Sequence, residues 1–270
     1  MIDLLPAWYW VMTVGLFGLA TGSFLNVVAY RVPEGRSLWG RSHCPRCDHV
    51  LGPLDLLPVV GWILLLGRCR YCSQPIAWRY PAVELATGLL WAGTAALVGA
   101  SWVLPAFLWT LSVTISLVLT DIDTHRLPNS IVYTGTIVGS LLLVVGSFLD
   151  STQGRLGWAA AGGVLYFVVM LVLALAIPGG FGFGDVKMAF LLGAFVAFQV
   201  RQSAVDALVA LGSVGVAIFG AFLIGGLAAI VLLALRRRGR KDHLAFGPPM
   251  IFAAWIAAMW GTELVDLYLG

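Results

Sequence analysis

The nine residues DIDTHRLPN, at positions 121–129, separate two long apolar runs at about 103–120 and 130–149. A second polar stretch, GFGDVK at 182–187, opens another apolar run. The chain has only 13 acidic residues among 270, yet each stretch places an aspartate at the edge of a run. An ionised aspartate at membrane depth is unfavourable by roughly 2.5–3.5 kcal/mol, so both stretches are candidates for function.

The composition excludes an ordinary soluble protein. Hydrophobic residues make up 60% of the chain and charged residues 11%, and the mean hydropathy is +0.94. A soluble domain carries charge on about a quarter of its residues. We therefore predict an all-α polytopic membrane protein. No basic segment or small-residue cleavage site accompanies the first apolar run, so we expect a retained membrane helix there.

Apolar runs long enough, or nearly long enough, to cross a bilayer recur along the whole chain. They lie at about 7–29, 82–100, 103–120, 130–149, 157–177, 186–200, 207–235 and 246–268. A further run at 54–66 contains Pro58 and Gly61 and is too short to cross, so we place it against the membrane surface or in a small core. The sequence predicts about eight transmembrane helices, no soluble second domain and no internal repeat.

The distribution of Lys and Arg predicts the topology of these helices, because cytosolic loops carry the excess of basic residues. With the N-terminus outside, the segments 31–80, 121–130, 178–187 and 236–244 face the cytosol and contain 14 of the 16 basic residues. Arg155 and Arg201 are the exceptions. The same assignment places both candidate aspartates on the cytosolic side.

Four cysteines form two CxxC pairs in the polar segment after the first run: Cys44 with Cys47, and Cys69 with Cys72. Two such pairs supply the four thiolates that a structural zinc ion prefers. Disulfides or unbound thiols are the alternative, but a cytosolic loop is kept reduced. We predict a structural zinc site with no open coordination position, in a small cytosolic loop domain.

Asp121 ends the third predicted helix and Asp185 opens the sixth. Two carboxylates in a partly dry site can titrate as a pair, so one takes a proton from water while the protonated partner polarises a peptide carbonyl. A salt-bridged or ion-conducting pair is the alternative. Asp123 forms a D-x-D pattern with Asp121, which is a weak metal signal, and we assign it to the loop or to substrate contact.

Residues around the two aspartates are predicted to support a substrate site. Gly182 and Gly184 allow a bound extended peptide to approach the backbone. Pro128 fixes the start of the fourth helix, with Asn129 beside it. Lys187 either balances the charge of Asp185 or extends to lipid headgroups.

Taken together, these residues resemble one known family, the type IV prepilin peptidases, which are membrane aspartic proteases of the GxGD kind. The resemblance rests on GSFLNV at 22–27, YR at 30–31, the four cysteines, GRC at 67–69, WRYP at 78–81 with Glu84, Asp121 with Pro128 and Asn129, GFGDVK at 182–187, and FGP at 246–248. Each piece alone is weak, but the combination in this order is specific and spans almost the whole chain.

The resemblance implies a bifunctional enzyme of the bacterial inner membrane. Family members remove the basic leader of prepilin and pseudopilin precursors at the cytosolic face. They then methylate the new N-terminus with S-adenosylmethionine. Carried over by position, Asp121 and Asp185 are the catalytic pair of the protease, and the cysteine loop belongs to the part associated with methyl transfer. The implied partners are these precursors and membrane lipid, with no nucleic acid.

These expectations divide the chain into a first helix at 1–30, a zinc loop at 31–80 and a seven-helix protease core at 81–270. One alternative keeps the family but loses methyl transfer, although members restricted to cleavage tend to lack the cysteine loop. A second alternative is an ion-coupled transporter that uses the paired carboxylates, which predicts carboxylates near the bilayer midplane and repeated halves. A third is a membrane scaffold that recruits a partner through its zinc loop.

Overall fold

A computed structural model describes residues 6–177, 181–202, 205–234 and 246–269. The predicted basic segment 236–244 lies outside these residues, as do positions 178–180. Within the described ranges the chain is helical and has no strand, only two isolated β-bridges. The all-α prediction is therefore confirmed.

The helices follow the predicted apolar runs closely. They are α1 (Ala7–Arg31), α2 (Val60–Leu64), α3 (Arg79–Val98), α4 (Leu104–Thr124), α5 (Asn129–Leu149), α6 (Leu156–Ala176), α7 (Phe183–Phe198), α8 (Ala207–Ala234) and α9 (Gly247–Leu269). The short run at 54–66 forms only the single turn of α2. Proline and glycine set several boundaries: Pro6 and Pro128 precede α1 and α5, and Gly99, at φ 77°, ends α3.

Seven helices in the described part of the chain are long and apolar enough to cross a membrane, namely α1, α3, α4, α5, α6, α8 and α9. The chain is therefore a multi-pass membrane protein. The prediction of eight crossings fails at the sixth run, 186–200, because the helix that it forms, α7, has only 16 residues. At 1.5 Å per residue it spans about 24 Å, short of a hydrocarbon core of about 30 Å.

The chain divides into two compact units, Met1–Ala100 and Ser101–Gly270. In the first unit α1 packs along α3. Small residues permit the close approach: a Cβ on Gly22 would lie 2.7 Å from the Glu84 Cα, and one on Gly18 would lie 2.7 Å from the Trp91 Cβ. Glycine at such positions lets two membrane helices approach through their backbones.

In the second unit α7 is the central helix and packs against α5, α6, α8 and α9. Twelve of its residues are buried, and α4 is also mostly buried. A short helix inside a bundle needs no lipid-facing length, because its neighbours cover it. The two helices that carry the candidate aspartates are thus well covered by protein.

Contacts between loops stabilise one end of the second unit. At one end the Asp150 carboxylate accepts the backbone N–H groups of Trp102 and Val103, both at 3.0 Å. At the same end Arg155 donates to the carbonyl oxygens of Gln199, Val200 and Gln202, which follow α7. A guanidinium at a helix C-terminus satisfies free carbonyl groups and the negative end of the helix dipole. Arg155, one of the two basic residues outside the predicted cytosolic segments, therefore stabilises the C-terminal end of α7.

Candidate active site

Asp121 lies in the last turn of α4, with only 6% of its surface exposed. The helix ends at His125, which adopts the left-handed conformation at φ 51° and donates its backbone N–H to the Asp121 carbonyl at 2.9 Å. The carboxylate oxygen Oδ2 is buried, and no described residue donates a hydrogen bond to it. A buried acceptor in this state needs a proton or a water molecule, because leaving it unpaired is unfavourable by about 1–3 kcal/mol.

Asp185 lies in the first turn of α7 and is 7% exposed. Its Oδ2 accepts the backbone N–H of Gly182 at 3.2 Å, while its own N–H donates to the Gly182 carbonyl at 3.0 Å. This reciprocal pair caps the helix in the manner of a capping box. An acidic side chain in a first turn also interacts favourably with the positive end of the helix dipole.

The two carboxylates meet at Gly247, the first residue of α9. A Cβ on Gly247 would lie 2.8 Å from Oδ2 of Asp121 and 3.7 Å from Oδ1 of Asp185. Both acidic groups therefore reach within 4 Å of one point. Only glycine lets the start of α9 approach them so closely. The two carboxylates therefore approach the same point, and their role as a catalytic pair stays a prediction.

The predicted supporting residues lie at the same end of the second unit. Lys187 does not pair with Asp185: its Nζ donates to Oδ1 of Asn129 at 2.9 Å and lies 5.3 Å from the centre of the Tyr133 ring. Asn129 opens α5 directly after Pro128, so this contact ties the start of α5 to α7. Lys187 therefore joins α7 to α5 through Asn129 and does not balance the charge of Asp185.

The two glycines of the GFGD stretch have different surroundings. Gly184 packs on the loop after α4, since a Cβ there would lie 2.8 Å from the Leu127 Cβ. Gly182 is exposed, and the contacts its added Cβ would make are with Asp185 and Gly184 of its own turn. Of the two, Gly182 is the one that leaves backbone accessible to a substrate.

Sequence reasoning missed two residues of this site. Gly247 appeared only as part of the FGP match, although a glycine before two prolines at a helix start is a visible signal. Tyr166 of α6 is fully buried, and its hydroxyl has no hydrogen-bond partner in the described ranges. It is close enough to Asp185 for the two groups to interact electrostatically. The sequence offered one indication of Tyr166, because it is a residue with a hydroxyl group within the apolar run at 157–177.

The four cysteines converge in the first unit. Their sulfur atoms all lie within 4.8 Å of one another, and the sulfurs of Cys44 and Cys72 are 3.9 Å apart. Four sulfurs at about 2.3 Å from one zinc ion would be separated by roughly 3.8 Å, so the set fits a tetrahedral site. All four are free thiols, and the alternative of two disulfides is wrong.

The two cysteine turns repeat the same backbone pattern at an offset of 25 residues. Cys44 N–H donates to the His49 carbonyl at 2.9 Å, and Cys69 N–H donates to the Gln74 carbonyl at 2.8 Å. An isolated bridge closes each turn, and each contains one residue of positive φ, Asp48 or Ser73. The expectation of no internal repeat is therefore wrong within this loop.

The thiols of the second turn are electrostatically coupled. Backbone N–H groups of Cys72 and Tyr71 point at the Cys69 sulfur and lower the pKa of its thiol to about 7. The Gln74 N–H lowers the pKa of Cys72, but burial and the neighbouring Cys69, Cys47 and Cys44 thiols raise it to about 12. Four neighbouring thiols ionise together when a divalent cation binds them, because the cation offsets the negative charge of the thiolates.

Asp55 joins the second cysteine turn to the segment before α2. Its Oδ1 accepts from Nε of Arg70 at 2.8 Å, and its Oδ2 accepts the Gly52 N–H at 3.0 Å. Burial raises the pKa of Asp55, but the Gly52 N–H and the Arg70 guanidinium together hold it below its usual value. The cysteine loop is thus fastened by an ionised carboxylate as well as by the cluster.

Two family models match the chain in order. The Bacterial Peptidase A24 N-terminal domain matches residues 16–98, and the Type IV leader peptidase family matches residues 102–234. The gap between the two matches coincides with the boundary between the compact units, at Ala100 and Ser101. No solved structure matches the chain significantly.

Curated relatives are similar along nearly the full length. A protein of Aeromonas hydrophila named prepilin leader peptidase/N-methyltransferase is 32% identical, over 97% of this chain and 94% of the relative. Proteins of the same name from Pseudomonas aeruginosa (30% identical; 96% and 93% covered) and Neisseria gonorrhoeae (31% identical; 91% and 89% covered) are also similar. With both family models matched and this extent of similarity, the chain belongs to the type IV leader peptidase family.

Proposed function

We propose that this protein removes the leader peptide of type IV prepilin-like precursors and methylates the new N-terminus. The observation that carries the cleavage half is the approach of the Asp121 and Asp185 carboxylates to one point at Gly247. The names of the relatives, which join both activities in one chain, support the pairing of cleavage with methyl transfer. The protein is thus a membrane-embedded aspartic endopeptidase and an N-methyltransferase.

In the cleavage step, one aspartate takes a proton from a water molecule, which attacks the scissile carbonyl. The other aspartate, protonated, donates a hydrogen bond to the carbonyl oxygen. The exposed backbone at Gly182 holds the extended substrate beside the pair. Because buried surroundings exclude competing water, charges that develop in the transition state interact strongly with these groups.

The zinc ion has a structural role, because a shell of four sulfurs leaves no position for a substrate. S-adenosylmethionine supplies the methyl group. The division into a first helix at 1–30, a zinc loop at 31–80 and a protease core at 81–270 stays a prediction. So do the bacterial inner membrane as location and the cytosolic face for the aspartate pair, which the excess of basic residues supports.

The direct test is intact-mass spectrometry of a type IV prepilin after incubation with the detergent-purified protein and S-adenosylmethionine. We expect loss of the leader and gain of one methyl group. Asp121→Asn and Asp185→Asn should each abolish leader loss while the protein stays folded, because either change leaves a single carboxylate at the site.

Other outcomes separate the alternatives. Loss of the leader without methylation would indicate a cleavage-only member of the family. If the folded protein cleaved neither this prepilin nor other prepilin-like precursors, the result would favour the ion-coupled transporter or the membrane scaffold over a protease. Full cleavage by Asp121→Asn or Asp185→Asn would remove that residue from the catalytic pair.

A further inference from the structure

The segment between the two cysteine turns presents apolar side chains that the rest of the chain leaves exposed. Val60, Ile63 and Leu64 share one side of α2, at the i, i+3 and i+4 spacing of a helix face. Their exposed fractions are 50%, 56% and 73%, and Leu66, just after the helix, is 84% exposed. These four residues form the α2 face. No charged residue occurs between positions 56 and 67.

The opposite side of α2 is packed against the cysteine loop. The Trp62 indole N–H donates to the Ile76 carbonyl at 3.1 Å, and a Cβ on Gly67 would lie 2.8 Å from the indole ring. Gly61 is buried, and a Cβ there would lie 3.1 Å from two backbone carbonyl oxygens. The helix is therefore held firmly on one side while its apolar side faces outward.

A hydrogen bond fastens the start of α2 to the side of α3. The Glu84 Oε2 accepts the backbone N–H of Val59 at 2.7 Å, and Glu84 is only 8% exposed. Val59 has φ 60° and ψ −52°, and the Val60 N–H donates to the Pro58 carbonyl across it, which makes a γ-turn of the strained kind. A β-branched residue adopts this conformation only where its surroundings hold it. The contact with Glu84 thus sets the level of α2 along α3.

That level lies within the length of the membrane-spanning helices. Glu84 follows Arg79, the first residue of α3, by five positions, or about 7.5 Å of helix. On α1 the residue that faces Glu84 is Gly22, nine positions before Arg31, or about 14 Å of helix. Arg31 and Arg79 mark the headgroup level, because arginine is unfavourable in the hydrocarbon core. The start of α2 therefore lies deeper than the headgroups, beside two helices that lipid surrounds.

We propose that α2 is a lipid anchor, whose α2 face inserts into the leaflet where α1 ends and α3 begins and holds the cysteine loop on the membrane. Apolar side chains at this level gain free energy by contact with acyl chains instead of water. The exposed Arg68, two residues after Leu66, supplies a positive charge for lipid phosphate groups. The inference needs only the membrane-spanning character of α1 and α3, so it is independent of the proposed function.

The test measures the depth of single labels in a bilayer. A genetically encoded ketone amino acid, coupled to a hydroxylamine nitroxide, labels one position of the full-length protein and leaves the four cysteines unmodified. The protein is reconstituted in vesicles of phosphatidylethanolamine and phosphatidylglycerol. Electron paramagnetic resonance then compares collisions of the nitroxide with oxygen, which concentrates in lipid, and with a nickel chelate, which stays in water.

Two control positions define the range of the measurement. Leu89 is 64% exposed on the membrane-spanning helix α3 and is the lipid control. Glu34 is an exposed charged residue just after α1 and is the water control. Labels at Ile63 and Leu64 should resemble the label at Leu89. Because an interfacial helix buries its apolar face by about 5–10 Å, the oxygen-to-nickel collision ratio at position 64 should exceed that at position 34 about tenfold.

Two variants test the attachment of α2 to α3. Glu84→Ala removes the acceptor of the Val59 N–H, so nickel collisions of a label at Leu64 should increase. Glu84→Gln keeps an acceptor oxygen and should retain the depth of the label in wild type. Zinc content, measured in both variants, shows whether the cysteine loop is still formed.

Three results would count against the inference. A Leu64 label with the collision ratio of the Glu34 label would place α2 in water and overturn it. A Leu64 label that collides with neither reagent would show that protein, such as a second copy of this chain, covers the α2 face. Equal label depth in Glu84→Ala and Glu84→Gln would exclude Glu84 as the attachment. Because none of these measurements uses a substrate, their failure would leave the proposed function unaffected.

Discussion

Asp185 performs two tasks whose physical requirements can be separated. Its carboxylate accepts the Gly182 N–H and thereby caps α7, and the same group faces Gly247 together with Asp121. Capping needs only an oxygen acceptor, whereas water activation needs a group that gains and loses a proton. Substitutions that keep the acceptor and remove the acid therefore distinguish the two tasks.

We predict that Asp185→Asn abolishes cleavage with little change in thermal stability, because the amide oxygen still accepts from Gly182. Asp185→Ala should abolish cleavage and also lower stability by about 1 kcal/mol, since the cap is lost. Thermal unfolding in detergent and leader cleavage, followed in parallel, measure both effects. Equal stability of the two variants would contradict the capping role.

Gly247 sets the distance between α9 and the carboxylate pair. We predict that Gly247→Ala lowers the cleavage rate at least about tenfold, because its Cβ would lie 2.8 Å from Oδ2 of Asp121 and would displace that group. Gly226→Ala in α8 is the control, since nothing lies within 4 Å of a Cβ there. Initial cleavage rates of the two variants make the comparison, and similar rates would show that the close approach at Gly247 is not needed.

At the scale of elements, the cysteine loop is built from two equivalent turns instead of helices. Cys44 and Cys69 hold matching positions and are both buried, and their backbone N–H groups make matching hydrogen bonds. Such small turns have little apolar surface to bury, so a metal ion or other cross-link must supply most of their stability. Because the two turns are equivalent, loss of a cysteine from either one should have the same effect on metal binding.

We predict that Cys44→Ser and Cys69→Ser reduce bound zinc to the same extent, because each removes one inner ligand from the same cluster. Elemental analysis of the purified variants measures this. His43→Ala, which changes an exposed neighbour outside the cluster, should keep the zinc content of wild type. Zinc retained in full by either cysteine variant would contradict a four-sulfur site.

At the scale of the whole molecule, the two compact units carry different chemistry. The first holds the cysteine cluster, and the second holds the aspartate pair. The two matched family models divide at the same place. Loss of one unit's site should therefore spare the chemistry of the other.

We predict that removing zinc with a chelator lowers methylation of an already cleaved substrate, because the cysteine cluster holds the loop of the first unit, while leader cleavage continues. Asp185→Asn should do the reverse and keep methylation of the cleaved substrate while cleavage of the precursor stops. Intact-mass spectrometry with a precursor and with an already cleaved substrate tests both halves. Parallel loss of both activities on chelation would show that the cluster stabilises the protein as a whole.

Much of this protein follows from sequence alone. Long apolar runs can only be helices in a bilayer, since backbone groups there need internal partners, and so the runs predicted the helices closely. The spacing of the cysteines and the position of each aspartate at the end of a run likewise named the candidate residues. These features depend on local composition and on distances along the chain.

Other features depend on contacts between residues far apart in sequence, and only the tertiary structure decided them. Lys187 contacts Asn129, and Gly247 lies close to both Asp121 and Asp185, because helices from distant parts of the chain pack there. The burial of α7 also depends on tertiary structure, because the helices packed around it keep lipid away from this short helix. Composition fixes which segments avoid water, whereas packing fixes which side chains face each other.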